Sequence, residues 1–468
     1  MTNNKIFLSM AALVFVGAMT AGCSSDDLTA ETPQPADAGK TVVMKTTISL
    51  SESASTRALD ANGKKTFAAG DQIAVIYKNT AGETVKAESA ALQATDLHDA
   101  AKTASFSVTL TNPQASTPVR YIYPASMASA TVATDVATND DVTINYAALA
   151  TQDGTLASLA SDLDLAVFDG TLTAQAVLPP ATLENPLTIC GFTLRDSGDS
   201  NADITSSVNS LTISDGTNAY AVSPSGLDAI YVAMKPASGN IAFTAATTAS
   251  KTYFKTATSK TLTAGTLYTN ITVSMVELAV GSVFCSDGSV YASKDAATSA
   301  SKTPVALICY LGNDAETNAA FKHGLALALT DASTSAAWCS QKSVTCLGTR
   351  YDNLTDAKCD MAGIANTDAL VGLSSHTHTA ASAARNYSVA HPTGTSAWFL
   401  PSAGQWQKMV DAATGYTNLR TNAGLQSDRY WSSTELDSSS AWRYTFSDGN
   451  WYTGTKDAGR YVRACLAF

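Results

Sequence analysis

The first residue in this chain with recognisable chemistry is a cysteine, Cys23, which follows a short run of small residues. Before it lie one positive charge, Lys5, and an apolar run over residues 6–19 that is too short to span a bilayer comfortably. This order is typical of a bacterial signal peptide that is removed at a cysteine, whose thiol then carries a lipid. The alternative is a signal peptide with an incidental cysteine. We therefore predict export, removal of residues 1–22, and a lipidated polar linker over residues 23–39.

The residues directly after Cys23 indicate where the protein is sent. Two serines and two aspartates at residues 24–27 resemble a signal that directs lipoproteins of some Gram-negative bacteria to the outer face of the outer membrane. The formal net charge of the chain is −11, which argues against nucleic acid as a partner. No later apolar run approaches the roughly 20 residues that a spanning helix needs. We therefore expect a surface-exposed protein of the outer membrane, attached through its lipid.

Six further cysteines lie after residue 277, and they are candidates for disulfide bonds. An even number of cysteines in an exported segment suits up to three bridges, and the pairing stays open apart from a preference for Cys285 with Cys465. Zinc is the alternative, but no Cys-x-x-Cys spacing occurs. Cys190 is expected to be a buried thiol. The candidates are Cys285, Cys309, Cys339, Cys346, Cys359 and Cys465.

Two histidines, His376 and His378, are separated by one residue, so on a strand they would share a face and could bind a metal ion. Such a pair in a Ser- and Thr-rich segment is more often solvated, and we predict no metal site. The chain contains no Gly-x-Ser-x-Gly motif and no phosphate-binding loop. We therefore expect no cofactor and no enzymatic activity.

The elements that position these residues are mostly β-strands. Between residues 41 and 50 apolar side chains alternate with polar ones, which predicts a half-buried strand, followed by a loop over residues 51–65 that contains Arg57. Short strand-like runs separated by Gly, Asn, Asp and Pro turns continue to about residue 273. The fold class is therefore mainly β, with one β-sandwich over residues 40–155 and a second over residues 156–276.

The last third has a different composition and predicts an α+β domain over residues 277–468, which holds all six tryptophans. Helices are expected near residues 318–330 and directly after Ser402, whose hydroxyl can cap the second one. Three tryptophans are expected in the core, namely Trp398, Trp406 and Trp431. The candidate ligand-binding residues are Trp442, Trp451 and Tyr452, because aromatic rings on a turn-rich segment can stack on a glycan or anchor a protein.

Several short motifs together resemble the fimbrillin family of Gram-negative lipoprotein pilins. They are Thr56-Arg57, Phe67-x-x-Gly70-Asp71-x-Ile73, Tyr121-x-Tyr123-Pro124 and Ala264-Gly265-x-x-Tyr268. The resemblance covers roughly residues 40–276 and implies two transthyretin-like sandwiches. It also implies that an arginine-specific protease cuts between Arg57 and Ala58 and releases the first strand with the lipid. Another subunit then fills the groove with a donor strand, as an exposed sheet edge beside an apolar trough allows.

Motifs in residues 277–468 resemble the C-type-lectin-like fold, in the branch related to formylglycine-generating enzymes. They are Leu400-Pro401-Ser402-x-x-x-Trp406, the run Trp431-Ser432-Ser433-Thr434-Glu435 and the closing Val462-Arg463. The calcium-binding triplets of sugar-binding lectins and the close cysteine pair of the enzymes do not occur in this domain. Neither activity is therefore implied.

These features combine into one functional prediction. A subunit that can accept a strand, but whose C-terminal part is a compact domain, suits the tip of a fibre, where that domain would bind a glycan or protein ligand. The main alternative is a permanently lipid-anchored surface glycan-binding lipoprotein in which Arg57 is never cut. The remaining alternative is an enzyme on the lectin-like fold.

Overall fold

The computed structural model describes residues 41–50, 66–130 and 144–468, and the chain in these ranges is mainly β, as predicted. The signal peptide, the linker, Cys23, Arg57 and Ala58 lie outside the described residues, so the predictions made for them stand as predictions. Within the described part of the chain, no helix is both long and apolar enough to cross a membrane.

The first sandwich packs two four-stranded sheets around one apolar core. The first nine strands are β1 (Thr41–Leu50), β2 (Ala74–Lys78), β3 (Thr84–Glu88), β4 (Leu97–His98), β5 (Thr103–Thr111), β6 (Pro118–Tyr123), β7 (Thr151–Gln152), β8 (Ala166–Thr171) and β9 (Ala181–Leu183). One sheet has the order β4-β5-β1-β9 and the other the order β3-β2-β6-β8. Alternate side chains of β1 and β5 point into the space between the two sheets, as a period of two requires.

The second sandwich is one long sheet that folds back over its own core. Its strands are β10 (Thr188–Asp196), β11 (Ala202–Asp203), β12 (Val208–Ser214), β13 (Ala219–Val222), β14 (Ile230–Met234), β15 (Ala237–Thr247), β16 (Thr252–Leu262) and β17 (Leu267–Glu277). The order is β11-β10-β17-β16-β15-β12-β13-β7, with β14 paired to β10. Phe192 and Phe243 meet edge to face in the core, with ring centroids 5.2 Å apart.

The two sandwiches exchange short strands near the predicted boundary at residue 155. β8 and β9 follow that residue but belong to the sheets of the first sandwich, whereas β7 precedes it and pairs with β13 of the second. Helix α1 (Leu156–Asp162) lies between these strands, and Thr155 caps it. Residue 155 therefore does not separate the strands of the first sandwich from those of the second. Strand patterning shows which segments are strands, but not which sheet each one joins.

The C-terminal part combines two five-stranded sheets with six helices. The strands are β18 (Val283–Cys285), β19 (Val290–Tyr291), β20 (Pro304–Leu311), β21 (Gly324–Ala328), β22 (Ser333–Ala336), β23 (Arg429–Glu435), β24 (Ser440–Thr445), β25 (Asn450–Thr455), β26 (Arg460–Val462) and β27 (Cys465–Ala467). The helices are α2 (Lys294–Ser299), α3 (Leu354–Ala357), α4 (Gly363–Gly372), α5 (Thr379–Arg385), α6 (Ala403–Ala412) and α7 (Tyr416–Ala423). The sheet orders are β19-β18-β20-β21-β27 and β22-β26-β23-β24-β25.

One of the two predicted helices is confirmed. The Ser402 hydroxyl accepts a hydrogen bond from the backbone N–H of Gln405 at the start of α6, and the Gln405 side chain accepts one from the backbone N–H of Ser402. The helix expected over residues 318–330 is wrong. That stretch forms a short 3-10 turn (Ala319–Phe321) and the fully buried strand β21, because a short apolar run without polar alternation fits either state.

The predicted disulfides are absent, since all seven cysteines among the described residues are free thiols. Cys285, Cys309 and Cys465 pack in one apolar core, where they serve as small buried side chains, and Cys190 is buried as expected. Burial raises the pKa of Cys309 to about 12, so its sulfur keeps its proton. The remaining candidates, Cys339, Cys346 and Cys359, are also unbonded.

The C-terminal domain is joined to the second sandwich by packed side chains. Phe254 of β16 meets Phe284 of β18 with ring centroids 4.9 Å apart, and Phe284 meets Phe468 at 5.0 Å. His323, which is fully buried, accepts a hydrogen bond at Nε2 from the Thr212 hydroxyl of β12 at 3.3 Å, and its Nδ1–H donates to the Asn313 side chain at 2.9 Å. This joint is therefore part of the hydrophobic core.

The neutral His323 at this joint makes stability depend on pH. Burial lowers the pKa of His323 to about 3, and the charge of Lys322 adds to the shift. Below about pH 6.5 the unfolded chain binds a proton that the folded chain does not. The free energy of unfolding therefore decreases as the pH is lowered, by up to about 1.4 kcal/mol per pH unit. We expect urea unfolding, followed by tryptophan fluorescence, to show this loss between about pH 7 and about pH 5.

Two variants separate this effect from the titration of other groups. His323→Gln can keep a hydrogen bond at the joint but cannot titrate, so its unfolding free energy should depend less on pH than that of the parent protein. His98→Gln removes an exposed histidine and should retain the parental dependence. Equal pH dependence in the parent and His323→Gln would contradict the assignment.

Candidate functional site

The first strand lies inside its sheet, between two other strands. β1 pairs antiparallel with β5 from Thr41 opposite Thr111 to Ser49 opposite Thr103. On its other side only the last three residues, Ile48 to Leu50, pair with β9, and they run parallel to it. One edge of β1 is thus held along its length and the other only at its end.

The inward face of β1 closes the core of the first sandwich. Met44, Thr46, Ile48 and Leu50 are buried, whereas Val43 on the opposite face is 69% exposed. The Thr46 hydroxyl donates a hydrogen bond to the carbonyl oxygen of Pro179 at 2.7 Å, which satisfies the polar group at that buried position. The alternation predicted from sequence is therefore the alternation that the core uses.

Removal of β1 would open a trough in this core. The side chains of Phe106, Val108 and Leu110 on β5 are fully buried, and the backbone of β5 is paired to β1 along the same stretch. Without β1 these apolar groups and backbone hydrogen-bonding groups would face water, which is unfavourable for both. An extended segment with alternating apolar side chains restores both sets of contacts.

The chain returns to the described structure just beyond the predicted cleavage loop, at an anchored position. Phe67 is buried, and its ring packs edge to face against Phe106 at 5.4 Å and Tyr123 at 5.3 Å between centroids. The Tyr123 hydroxyl donates to the Asp71 carboxylate at 2.6 Å, so two of the sequence motifs meet here. These contacts hold the segment after residue 66 independently of β1.

A second opening lies in the folded sheet of the second sandwich. β16 and β17 pair only where Tyr253 and Phe254 face Glu277 and Val276, and they diverge beyond that point. The gap between them is a mostly apolar cavity of about 600 Å³. Its apolar lining includes Phe192, Phe243, Leu262, Tyr268 and Ile271. No sequence pattern predicted this cavity, although the turn motif that ends in Tyr268 contains one of its lining residues.

The aromatic candidates for ligand binding occupy different depths in the C-terminal domain. Trp442 is buried, and its indole N–H donates to the carbonyl oxygen of Tyr351 at 2.8 Å, so it packs the core and offers little surface to a ligand. Trp451 is half-buried, and its indole N–H donates to the Gln407 side chain at 2.9 Å. Tyr452 is 43% exposed. The tryptophans expected in the core are all buried there, namely Trp398, Trp406 and Trp431.

Three arginines lie beside Tyr452, and we call Arg429, Arg443, Arg460 and Tyr452 the arginine patch. Four neighbouring strands of one sheet carry these residues, with Arg460 on β26, Arg429 on β23, Arg443 on β24 and Tyr452 on β25. The strand register places all four side chains on one face of the sheet. The Arg443 guanidinium lies 5.1 Å from the centroid of the Tyr452 ring. No sequence motif predicts this patch, because only the pairing of the strands brings its four residues together.

The electrostatics of the arginine patch suit an anion. Burial lowers the pKa of Arg443, and the charges of Arg429 and Arg460 lower it further, which means that the three cations repel one another. Within the described part of the chain, none of the three forms an ion pair with a carboxylate, unlike Arg463 with Asp331. Two carboxylates offset part of this charge: Asp448, which accepts a hydrogen bond from the Tyr452 hydroxyl at 2.9 Å, and Asp428 near Arg460. Three cations and two carboxylates leave one positive charge that an anionic group would neutralise.

The two paired histidines do not lie on a strand. They come just before α5, where His376 is half-buried and His378 is buried. The interpretation of a solvated pair is therefore wrong for His378.

Comparison with known proteins gives distant structural likenesses only. No family model matches the chain, and no curated protein matches it. A fimbrial protein from Bacteroides ovatus is 16% identical, with 92% of this chain and 100% of that chain covered and a TM-score of 0.36. A tip fimbrial protein from Porphyromonas gingivalis with a C-terminal truncation is 10% identical, with 46% and 81% covered and a TM-score of 0.22. A fimbrial assembly protein from Parabacteroides distasonis is 10% identical, with 49% and 90% covered and a TM-score of 0.27.

The depth of β1 in the core leads to a prediction about a matched pair of substitutions. Ile48→Asp places a charge in the apolar core, and we expect it to detach β1, because an unpaired buried carboxylate costs several kcal/mol. Val43→Asp makes the same chemical change on the exposed face and should leave β1 in place. Amide hydrogen exchange of β5 measures the difference, since β5 loses its pairing when β1 leaves. Unchanged protection of β5 in Ile48→Asp would contradict this role of the strand.

Proposed function

We propose that this chain is a fimbrial subunit of the tip type, an adhesin that joins a fibre by accepting a donor strand in place of β1. The observation that carries the proposal is the geometry of β1, which fills a core groove but is paired along its length at one edge only, because the other edge is paired only at its last three residues. A strand in this position can be exchanged for another of the same alternation without rebuilding the sheets around it.

Strand exchange requires that β1 can leave, and cleavage between Arg57 and Ala58 supplies the break. Residues 51–65, where the sequence predicts a loop, directly follow β1 in the chain, and Phe67 is anchored just beyond them. A cut in this loop would separate β1 and the lipidated Cys23 from the rest of the protein. In this proposal the lipid delivers the subunit to the surface of the outer membrane and is then discarded.

The tip position is supported by the strands that residues 460–468 form. β26 pairs with β22 and β23, β27 pairs with β21, and Phe468 is fully buried against Phe284. Residues 460–468 are therefore built into the C-terminal domain and are not free to leave as a donor strand. A subunit of this kind accepts a strand from a neighbouring subunit and presents its C-terminal domain outward.

The ligand surface in this proposal is the arginine patch. An exposed tyrosine ring beside three cations can stack on a sugar while the guanidinium groups bind a carboxylate or sulfate group. Among glycan and protein ligands, the patch favours an anionic glycan. We assign the domain binding and not catalysis. A permanently anchored glycan-binding lipoprotein would use the same patch, so only the fate of β1 separates the two.

The N-terminus of the mature protein tests strand removal. We expect protein sheared from cells to begin at Ala58, because a cut after Arg57 makes Ala58 the first residue. The rest of the chain should stay folded, because Phe67 and the following segment remain anchored. Arg57→Ala should block the cut and reduce incorporation into fibres, whereas Lys64→Ala in the same loop should change neither. N-terminal sequencing of the sheared material gives the answer, and acylated Cys23 on most surface molecules would favour the anchored lipoprotein.

The arginine patch is tested by binding to immobilised sialylated and sulfated glycans. Arg443→Ala removes the cation nearest Tyr452 and should weaken binding by about tenfold or more, as expected for the loss of a charge-assisted hydrogen bond. Arg350→Ala changes the net charge equally at an exposed position elsewhere in the domain and should have little effect. Equal weakening by both variants would indicate that only net charge matters.

A further inference from the structure

Three potential metal ligands meet in the C-terminal domain. The sulfur atoms of Cys339 and Cys346 are 3.9 Å apart, and both lie within 4.8 Å of a ring nitrogen of His378. The two cysteines lie in the segment between β22 and α3, and His378 directly precedes α5. The cluster therefore joins two segments that are separate in sequence.

The orientation of His378 leaves one nitrogen available to a metal ion. Its Nδ1–H donates a hydrogen bond to the carbonyl oxygen of Trp338 at 3.2 Å, which places the lone pair on Nε2. Nε2 is buried and has no hydrogen-bond partner. A buried acceptor without a partner is unfavourable. Metal-binding histidines typically donate their other N–H to a backbone carbonyl in this way.

A backbone N–H group and a buried ion pair lie near the two sulfur atoms. The backbone N–H of Gln341 donates to the sulfur of Cys339 at 3.4 Å, a contact that stabilises a thiolate. Burial has the largest effect on the pKa of Cys346, which it raises, while the charge of the buried Lys456 lowers this pKa and that of its partner Glu435 raises it.

We propose that Cys339, Cys346 and His378 bind a zinc ion. Two sulfurs and one imidazole are ligands that Zn²⁺ prefers, and tetrahedral bonds of about 2.3 Å place two sulfurs about 3.8 Å apart. The observed separation matches this value, whereas a disulfide requires about 2.05 Å.

Binding exchanges protons for the metal ion. Two S–H bonds break, two Zn–S bonds form, and two protons pass to solvent, while His378 coordinates through its neutral Nε2. No electron is transferred and no other reactant is needed. The site is independent of strand exchange at β1, because it lies wholly in the C-terminal domain.

The test uses the full chain, reduced and freed of metal by a chelator, to which Zn²⁺ alone is then added. We expect one zinc ion per chain after removal of excess metal, measured by elemental analysis, and a higher unfolding temperature followed by tryptophan fluorescence. Cys339→Ser, Cys346→Ser and His378→Gln should each lose the bound zinc. Cys359→Ser and His98→Gln change an exposed thiol and an exposed imidazole and should keep it.

A second measurement on the unsubstituted protein guards against variants that fail to fold. Co²⁺ in the same site should give a thiolate-to-cobalt charge-transfer band and the strong visible bands of tetrahedral coordination, and Zn²⁺ should abolish both. Absence of these bands, or zinc retained at full stoichiometry by folded His378→Gln, would overturn the proposal. So would a Cys339–Cys346 disulfide in protein isolated from cells without reductant, because it removes both thiolates.

Discussion

The pairing of β1 with β5 is the interaction on which the organisation of the first sandwich depends. It places an N-terminal segment in the middle of a sheet, where its inward side chains complete the core. Because most of the opposite edge of β1 is not paired, the strand is central to the fold and yet separable from it. The anchoring of Phe67 beside Tyr123 makes this separation compatible with a folded remainder.

The joint between the second sandwich and the C-terminal domain shows a different principle. Phe254, Phe284 and Phe468 form a continuous aromatic contact between the two, and Nε2 of His323 accepts a hydrogen bond from the Thr212 hydroxyl across the same surface. Domains joined by a polar linker move independently, whereas a shared apolar core fixes their relative position. The arginine patch therefore belongs to a domain whose core is continuous with the second sandwich.

Local patterns predicted part of this structure. The alternation in β1 and the cap at Ser402 were readable because each depends on neighbours within a few residues. The arginine patch and the cluster of Cys339, Cys346 and His378 were not, because strand order and loop packing bring their members together over many residues. The disulfide prediction was wrong for a related reason. The number of cysteines does not show which of them lie close together in the folded chain.

The antiparallel register of β1 has a mechanical consequence. When two long strands are pulled in opposite directions along their axes, all their hydrogen bonds bear the load together, whereas pulling at right angles to the strands breaks them one pair at a time. A segment that replaces β1 with the same register on β5 would be loaded in the first way by tension along its own axis. If the proposed exchange occurs, the groove would then resist tension along the replacing strand better than tension across it.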